Sequence, residues 1–372
     1  MSRTGATVTW SASFALRFIG YKVQVRHQLV NGTPLCYFEP MASYLDWAQH
    51  TAERILTNRK ERRIREKAEA KAKRTFKSEL IGWLDAIVFA VIAVLLINQF
   101  IFQLYMIPSP SMEDTLLIKD RVWVSKISYG IETYPEGPKI LDSHAPMRDD
   151  VIVFYNPEYE SRGVFFTILS EIIYRLTFTL VNIDVDENGN MRERLYVKRA
   201  AALSGDTVRF IDGNAWIKGG GTTQYEEEMA FRTDHRLSSA PRRLLDPSLY
   251  DGFEAYGALL GYQETVSAEM APQHLLQAYQ KVSNYKGLID YYSVEAKKTA
   301  TIAHIDPSDL QARSAAARYD MGIYVPHGYV LPLGDNRDNS QDGRYFGPVP
   351  EKTVIGRVVL RFWPITRVGM VL

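Results

Sequence analysis

The sequence lacks the residues and motifs on which several large classes of protein depend. Its only cysteine is Cys36, so no internal disulfide can form and no cysteine cluster can bind zinc. The patterns H-E-x-x-H, G-x-x-x-x-G-K-[ST] and G-x-S-x-G are all absent. The formal net charge is +1, which favours neither nucleic acid nor an acidic substrate as a partner. We therefore predict no metal, no cofactor and no nucleic acid, and interpret Cys36 as a small apolar residue rather than a catalytic thiol.

The longest apolar run predicts one helix that spans a membrane. It extends over residues 80–107, and its central part, AIVFAVIAVLLI (86–97), has no polar side-chain atom. A helix of that length is about 42 Å long, whereas a bilayer core of about 30 Å needs roughly 20 residues. A buried core helix is the alternative, but such helices rarely run this far without a polar face. The run begins too far along the chain for a cleaved targeting signal, so we predict a transmembrane anchor at 80–107.

A basic segment before the predicted anchor indicates its orientation. Residues 54–77 contain eleven Lys or Arg and three Glu. Basic clusters next to a span stay on the cytoplasmic side, so we expect residues 1–79 in the cytoplasm and residues 108–372 on the outer side. The same composition is typical of a solvated helix. A DNA-binding arm is the rival interpretation, but no base-reading module accompanies the segment.

Short strand-like stretches dominate the chain after the anchor and predict a mostly β fold. RVWVSKI (121–127) alternates, and the apolar run DVIVFY (150–155) is typical of a buried strand. Asp212-Gly213 separates two strand-like pieces and predicts a hairpin. The stretch at 353–363 predicts a further strand. Residues 1–53 predict at most a small hairpin unit.

Two insertions interrupt the predicted β core, at about 158–195 and 220–322. The first contains the apolar stretch VFFTILSEIIYRLTFTLV (164–181), with Glu171 and Arg175 inside it. We interpret this stretch as an amphipathic segment on the membrane surface or a core helix. A second span is the alternative, and it would return the following chain to the cytoplasm. The second insertion is polar and mixed, and we predict a partly helical α/β cap that lies away from the catalytic face.

Serine and lysine remain as candidates for catalysis. Ser109 and Ser111 follow the apolar run directly, and Lys198 stands in the apolar stretch LYVKRAAAL. A serine hydroxyl is a poor nucleophile until a base removes its proton. A lysine can be that base only when burial lowers its pKa from about 10.4. Ser–Lys is a known variant of the nucleophile–base pair, although one serine and one lysine alone do not identify a site.

Four stretches in this order resemble the signature boxes of the type I signal peptidases, also called leader peptidases. They are IPSPSMEDTL (107–116), RDDVIVFYNP (148–157), YVKRAAALSGD (196–206) and LGDNRDNSQDGRYFGPVP (333–350). The last is long and rare by chance, and the predicted anchor fits the same family. The resemblance covers residues 107–157, 196 to about 218 and 328–363, and says nothing about residues 1–79. It implies a membrane-bound serine endopeptidase with a β-fold catalytic domain.

The resemblance also implies roles for individual residues. Ser111 matches the nucleophile and Lys198 the general base of the family's Ser–Lys dyad. Supporting positions are matched by Ser109 at the oxyanion hole, Ser340 beside the lysine amine, and Asp342 with Arg344 as a brace. The chain departs from the family at Pro110, where glycine is frequent, at Asp114, where proline is frequent, and at Gly343, where some members have serine. None of these three positions carries the chemistry.

The resemblance further implies the substrate and the cellular location. The family cuts signal peptides from exported preproteins after small residues, in an Ala-x-Ala pattern. We expect the β core to bind them as an added strand. The residues expected to contact the substrate are Ile107, Pro108, Met112, Val151, Ile152, Val153 and Phe154. The other expected partners are the lipid bilayer and, by proximity, the protein-export translocon. The expected location is the inner or plasma membrane, single-pass, with the N-terminus cytoplasmic.

Three alternatives stay open at this level. A dedicated processing peptidase would carry the same motifs, since substrate range is not written in them. A self-cleaving repressor would have a DNA-binding domain and no anchor. An inactive envelope-binding protein would be expected to lack Ser111, Lys198 or Ser340, all of which are present.

Overall fold

The computed structural model describes residues 25–30, 33–38, 41–72, 76–140, 144–176, 181–187, 189, 192–237 and 240–371. The chain forms two compact units, residues 1–89 and residues 90–372. The helices are α1 (Met41–Ala72), α2 (Phe76–Phe100), α3 (Val164–Leu176), α4 (Glu228–Asp234), α5 (Tyr250–Thr265), α6 (Gln273–Gln280), α7 (Tyr291–Ile305), α8 (Leu310–Met321) and α9 (Gly343–Phe346). The strands are β1 (Val25–Val30), β2 (Thr33–Phe38), β3 (Phe102–Met106), β4 (Arg121–Ser125), β5 (Ile131–Glu132), β6 (Lys139–Ile140), β7 (Val151–Tyr155), β8 (Leu195–Leu203), β9 (Thr207–Ile211), β10 (Asn214–Lys218), β11 (Glu226–Glu227), β12 (Ile323–Tyr324), β13 (Tyr329–Leu333), β14 (Val349–Pro350), β15 (Val354–Trp363) and β16 (Gly369–Met370).

The first unit contains a hairpin and a long helix. β1 and β2 pair in antiparallel fashion, which confirms the small hairpin predicted within residues 1–53. Cys36 lies in β2, but its side chain is outside the described part of the chain, so its interpretation stays a prediction. α1 carries most of the basic segment, and its described side chains are mostly exposed. That exposure agrees with a solvated helix.

α2 includes a stretch that is long and apolar enough to cross a membrane. Residues Leu80–Phe100 reach a mean hydropathy of 2.7, and none of that window is buried. A bilayer core would cover these side chains, whereas water would leave them exposed. Among the described residues, no other helix meets the same length and composition. The helix ends at residue 100, short of the predicted 107, because Phe102–Met106 pairs with β4 as a strand.

The larger sheet of the second unit is built around β7. Its strand order is β14-β13-β8-β7-β15-β4-β3, with β16 paired to β15. Val151 and Val153 enter the core on one face of β7, and Ile152 and Phe154 enter the core on the other. Burial on both faces explains why DVIVFY is a continuous apolar run rather than an alternating one. The predicted buried strand is therefore confirmed.

A smaller sheet has the order β11-β10-β9-β12. β9 and β10 form the predicted hairpin, with Asn214 opposite Ile211. Asp212 and Gly213 make the two-residue turn with φ of 48° and 69°, the positive values that a type I′ turn requires. β12 returns to β9 after helices α4 to α8, so the second insertion begins and ends at this sheet.

Helices occupy more of the chain than the sequence patterns predicted. Helical content is 46%, so the prediction of a mostly β fold is not confirmed, although the substantial sheet is present. Part of the excess lies in α5 to α8, which have a core of their own around Phe253 and Val294. Two of these helices begin at capping aspartates, Asp290 and Asp309, whose carboxylates accept backbone N–H groups. The β core is therefore accompanied by a helical insertion, which is a mixed architecture.

α3 is too short to cross a bilayer. Its 13 residues are about 20 Å long, against a hydrocarbon core of about 30 Å. Over the described residues, the second-span alternative for 164–181 is therefore not supported. A surface segment or a packed helix remains for this stretch.

Candidate active site

Ser111 lies in a short 3₁₀ turn, Pro110–Met112, that follows the edge strand β3. Ile107 fixes the start of this segment through two backbone hydrogen bonds of 2.9 Å with residues 119–120. Met112 is 1% exposed and packs in the main core. Pro110 occupies the first position of the turn, where its fixed φ fits and an N–H is not needed. The proline that departs from the family pattern is thus compatible with the turn.

Lys198 reaches Ser111 from β8. Its Nζ donates a hydrogen bond of 2.6 Å to Ser111 Oγ. Both side chains are almost closed to water, with 3% exposure for Lys198 and 6% for Ser111. The ring centroid of Tyr196 lies 5.5 Å from the Lys198 amine. The structure therefore brings these two predicted residues into direct contact in a site with little access to water.

Burial lowers the affinity of the Lys198 amine for its proton below that of an exposed lysine. Loss of hydration disfavours the charged amine and lowers the pKa of Lys198 to about 8. The negative charges of Asp342, Glu193 and Asp335 oppose this effect, while Arg344 adds to it. About one lysine in ten is then neutral at pH 7. The amine can therefore accept a proton near neutral pH.

A hydroxyl and a backbone N–H flank the Ser111 side chain. Ser109 Oγ lies 3.3 Å from Ser111 Oγ. The first backbone hydrogen bond across the turn runs from Glu113 N to Pro110 O, at 3.1 Å. N–H groups at the start of a helical turn have no acceptor within it, and the Ser111 N–H precedes that first bond. Both groups can therefore donate to an oxygen bound beside the serine.

The loop after β13 packs against the backbone of Ser111. Asn336 N donates to Ser111 O at 3.1 Å. A Cβ added at Gly334 would lie 2.6 Å from Ser111 O and 2.2 Å from Ser340 Oγ, so this close approach requires glycine. Ser340 Oγ is buried and has no hydrogen-bond partner among the described residues. The structure thus places Ser340 beside the site without a hydrogen bond to the Lys198 amine.

Asp342 and Arg344 form a buried ion pair under this loop. Arg344 Nε donates to Asp342 Oδ1 at 2.9 Å, and the two side chains are 3% and 0% exposed. Asp342 Oδ2 accepts the Gly334 N–H at 3.0 Å, and Arg344 Nη2 donates to Ser340 O at 3.3 Å. Burial alone would raise the pKa of Asp342, but the guanidinium and the N–H bond hold it below the usual value. The pair therefore stays ionised and ties the loop together.

Arg199 supports the site from the interior, although the sequence analysis assigned it no role. Its Nε and Nη2 donate to the two carboxylate oxygens of Asp335, each at 2.8 Å. Its Nη1 donates to the carbonyl of Asp149 at 2.7 Å, and Thr115 Oγ1 donates to Asp335 at 2.5 Å. Such bidentate pairs fix orientation as well as distance. The only signal for this pair in the sequence is that both partners lie within stretches that carry the family resemblance.

A groove of about 480 Å³ opens at Ser111 and Lys198. It is lined by Ile107, Pro108, Ser109, Pro110, Ser111, Met112, Glu193, Leu195, Tyr196, Val197, Lys198, Gly287, Leu288, Ile289, Tyr291, Asp338, Asn339, Ser340, Gln341 and Tyr345. One wall is the segment around the nucleophile, and a second is the first half of β8. Among the predicted contact residues, Ile107, Pro108 and Met112 lie in this groove.

The four predicted contacts on β7 do not lie in the groove. Val151, Ile152, Val153 and Phe154 are 0 to 2% exposed and are absent from the groove lining. β8 and β15 pair with β7 on its two sides, so β7 offers no free edge to a substrate. The expectation that these residues contact the substrate is corrected: they form the core behind the groove, and the first half of β8 forms the groove wall.

The second insertion borders the groove instead of lying away from it. Its residues Gly287, Leu288, Ile289 and Tyr291 line the same space as Ser111. The insertion is also joined to the loop after β13, because Arg242 N donates to Asp335 O and Arg337 N donates to Arg242 O, at 2.6 and 3.0 Å. The prediction of a cap away from the catalytic face is therefore wrong. No sequence motif marked these contacts.

Within the described part of the chain, no group of three or more His, Cys, Asp or Glu side chains is placed to hold a metal ion.

Comparison with known proteins identifies the family. The model of the family described as signal peptidase, peptidase S26, matches residues 80–363. A signal peptidase I of Aquifex aeolicus is 26% identical over 278 residues, covering 73% of this chain and 80% of that protein. A signal peptidase I of Buchnera aphidicola subsp. Baizongia pistaciae is 29% identical over 292 residues, covering 78% and 79%. A signal peptidase I of Haemophilus influenzae is 26% identical over 292 residues, covering 78% and 71%. The chain therefore belongs to the signal peptidase family, peptidase S26, and is a serine endopeptidase of that family.

Proposed function

We propose that this protein removes N-terminal signal peptides from exported preproteins by cutting after small residues with a Ser111–Lys198 dyad. The observation that carries the proposal is the 2.6 Å contact between Lys198 Nζ and Ser111 Oγ in a buried site. The relatives named signal peptidase I support the substrate class. The chemistry then follows from the groups in place.

The reaction starts with transfer of the Ser111 proton. A neutral Lys198 accepts that proton across the existing contact, while Ser111 Oγ attacks the carbonyl carbon of the scissile bond. The C–N bond breaks as the lysine returns its proton to the leaving amine. Water, deprotonated by the same lysine, then attacks the acyl-enzyme and releases the signal peptide with a free carboxylate. Low exposure keeps the lysine neutral often enough for both steps.

In this proposal the supporting residues stabilise the oxyanion and position the loop and the lysine amine. The Ser109 hydroxyl and the Ser111 N–H stabilise the oxyanion, and each such donor contributes about 2.7–4 kcal/mol. Asp342 and Arg344 keep the loop in place. Ser340 orients the lysine amine after rotation of its unpartnered hydroxyl. An unchanged rate in Ser340→Ala would remove that role from the mechanism.

The substrate is proposed to bind as an added strand beside the first half of β8. β13 pairs with β8 only at residues 199–203, so no described strand pairs with residues 195–198 on that side. An extended peptide can use these backbone groups, and its alternate side chains then face the groove. Ile107 and Met112 line the groove but are packed into the core, with 3% and 1% exposure. This wall therefore offers only a shallow space to a substrate side chain. Small residues fit such a surface better than large ones.

Cleavage should depend on the size of the residue before the cut. Purified protein in detergent is expected to process a preprotein with an Ala-x-Ala site. It should process the same preprotein with phenylalanine at the last position at least about tenfold more slowly, because a large side chain overpacks the shallow wall. The measurement is kcat/KM for the pair. Equal values would show that the groove does not select small residues, and would favour a dedicated enzyme with another specificity.

The pH dependence of cleavage should report the lowered pKa of Lys198. Since the neutral amine is the active form, kcat/KM should rise about tenfold per pH unit below pH 8 and level off above it. The charge of Glu193 raises the pKa of Lys198, so Glu193→Gln should move the rising limb to lower pH. Glu269→Gln, an exposed carboxylate in the second insertion, is the matched control and should leave the limb in place. A rise centred near pH 10 would mean that the lysine in the working enzyme is not perturbed, and would count against it as the base.

We propose that α2 is a single-pass anchor, with the basic segment in the cytoplasm and the catalytic unit on the outer face of the cell membrane. The positive charges before the apolar helix support this orientation. The location also places the active site near the translocon from which signal peptides emerge.

An introduced cysteine in α1 provides a test of this topology. In sealed right-side-out vesicles, a membrane-impermeant maleimide should leave a Cys36→Ser/Leu56→Cys variant unlabelled until the vesicles are opened, and labelling should then follow because Leu56 is 64% exposed. In a Cys36→Ser background, Met270→Cys should be labelled at once, because Met270 is 69% exposed on the catalytic unit. Labelling of the Leu56→Cys variant before opening would reverse the proposed orientation.

A further inference from the structure

α3 is an amphipathic helix whose faces are inverted. Four of its apolar side chains point outward: Phe165 is 82% exposed, and Val164, Leu169 and Ile172 are 47%, 40% and 39% exposed. Two of its polar side chains point inward, with Thr167 at 1% and Ser170 at 6% exposure. The four outward residues follow the spacing of a single helix face. A helix packed against a water-soluble core would have the opposite arrangement.

The buried face of α3 is joined to the start of β8. Arg194 Nη2 donates to Glu171 Oε1 at 2.5 Å. The Arg194 guanidinium lies over the ring of Tyr155, 5.5 Å from its centroid. Arg194 directly precedes the half of β8 that walls the groove at Ser111. The position of α3 is therefore coupled to the position of the groove.

The same contacts lead to the end of the apolar helix α2. Tyr155 OH donates to Glu132 Oε2 at 2.8 Å. Gln99 Nε2, in the last turn of α2, donates to the backbone carbonyl of Glu132 at 3.5 Å. Three residues, Glu132, Tyr155 and Arg194, therefore connect the end of the membrane-spanning stretch to α3. This short path keeps α3 close to the level at which α2 leaves a bilayer.

We infer that the outward face of α3, formed by Val164, Phe165, Leu169 and Ile172, lies in the surface of the lipid bilayer as a second membrane contact. The helix is too short to span, the four side chains named on its outward face are all apolar, and the spanning helix of the same chain ends nearby. Burial of such a face in the boundary between headgroups and acyl chains is typical of interfacial helices. Together with α2, this contact fixes the tilt of the groove relative to the membrane from which a substrate emerges.

A fluorescence experiment on the full chain tests this contact. In a Cys36→Ser background, Phe165→Cys is labelled with an environment-sensitive dye and the protein is placed in phosphatidylethanolamine–phosphatidylglycerol vesicles. We expect blue-shifted emission, quenching by lipids that carry a spin label near the headgroup, and protection from aqueous iodide. Leu310→Cys is the matched control, because Leu310 is 73% exposed and lies in α8. Its label should be quenched by iodide and not by the spin-labelled lipid.

Each outcome decides the inference. Equal iodide quenching of the two labels would overturn it. Protection from iodide without quenching by the labelled lipid would also overturn it, since the occupant would then be protein, such as a second copy of this chain. Lipid quenching at Phe165 alone supports it.

A second arm rests on the proposed function and measures the consequence. The double variant Phe165→Ser/Leu169→Ser should cleave a preprotein inserted in vesicles about tenfold more slowly than the unaltered chain, because the interfacial contact is weakened. It should cleave a short soluble peptide in detergent at the unaltered rate, which also shows that the fold is intact. An equal rate on the vesicle substrate would remove the positioning role. If the unaltered chain cleaved neither substrate, the proposed function would fail, while the fluorescence arm would still decide the membrane contact.

Discussion

Cleavage of an Ala-x-Ala preprotein is expected to fall by roughly 10⁴- to 10⁶-fold when Ser111 is replaced by alanine, and by a similar factor in Lys198→Ala. Without Ser111 Oγ no acyl-enzyme can form. Without Lys198, no side chain that the structure describes within hydrogen-bond distance of Ser111 Oγ is basic enough to take the proton. The Ser109 hydroxyl, at 3.3 Å, is too weak a base to take the place of the amine. The measurement is the single-turnover rate of purified protein in detergent, with thermal unfolding as the check on folding.

The variant Lys198→Arg distinguishes the role of the side chain as a base from the effect of its positive charge. A guanidinium is always protonated and cannot accept the serine proton, so this variant should be as inactive as Lys198→Ala. The matched controls are Ser128→Ala and Lys218→Ala, which remove the same side chains away from the groove and should keep the full rate. Activity that persisted in Ser111→Ala would identify a different nucleophile. No cleavage by the folded, unaltered chain would favour a dedicated processing enzyme or an inactive binding protein.

Gly334→Ala is expected to lower kcat by about 10²-fold, because the new methyl group would displace the nucleophile. The added Cβ would stand 2.6 Å from the carbonyl oxygen of Ser111, a backbone atom that cannot rotate away. A shift of the turn by about 1 Å would spoil the alignment of the hydroxyl with both the amine and the substrate carbonyl. The measurement is kcat with saturating preprotein, alongside the melting temperature.

Two variants control the Gly334 result. Gly369→Ala adds the same methyl group where no atom lies within 4 Å, and it should keep full activity. Ser340→Ala added to Gly334→Ala removes the hydroxyl that lies nearest to the new methyl. Because the clashes with the Ser111 carbonyl and with the Cβ of residue 340 remain, each at 2.6 Å, the double variant should stay slower than Ser340→Ala alone. Recovery of the double variant to the rate of Ser340→Ala alone would show that the hydroxyl, and not the backbone of the turn, is what the glycine accommodates.

Several features could be predicted because they depend on residues close together in the chain. The hairpin at Asp212-Gly213 requires positive φ at two adjacent residues, and the pair supplies it. The apolar run 80–107 is long enough by itself to indicate a spanning helix. Ser111 and Lys198 were predicted because each lies in a short motif that resembles the family's, and the structure then places their side chains 2.6 Å apart.

Other predictions failed because the composition of a strand does not specify which strands pair with it. The apolar run at 151–154 was compatible with a wall of the substrate groove and with a central strand. Pairing with β8 and β15 made it central, so its side chains form core. The groove wall is instead the half of β8 beyond the end of β13, and that depends on where a strand more than a hundred residues later stops.

The sequence by itself determined the chemical groups of this protein, the long apolar helix and the family, because these reside in contiguous stretches. Tertiary structure alone decided which residues meet. Arg199 pairs with Asp335 across 136 positions, the second insertion reaches the groove through Gly287 to Tyr291, and α3 turns its apolar face outward. Each of these outcomes depends on long-range pairing, in which a segment's environment is set by the element that packs against it. A local pattern such as the amphipathic stretch at 164–181 can indicate a helix with two faces, but only the packed fold shows which face is left exposed.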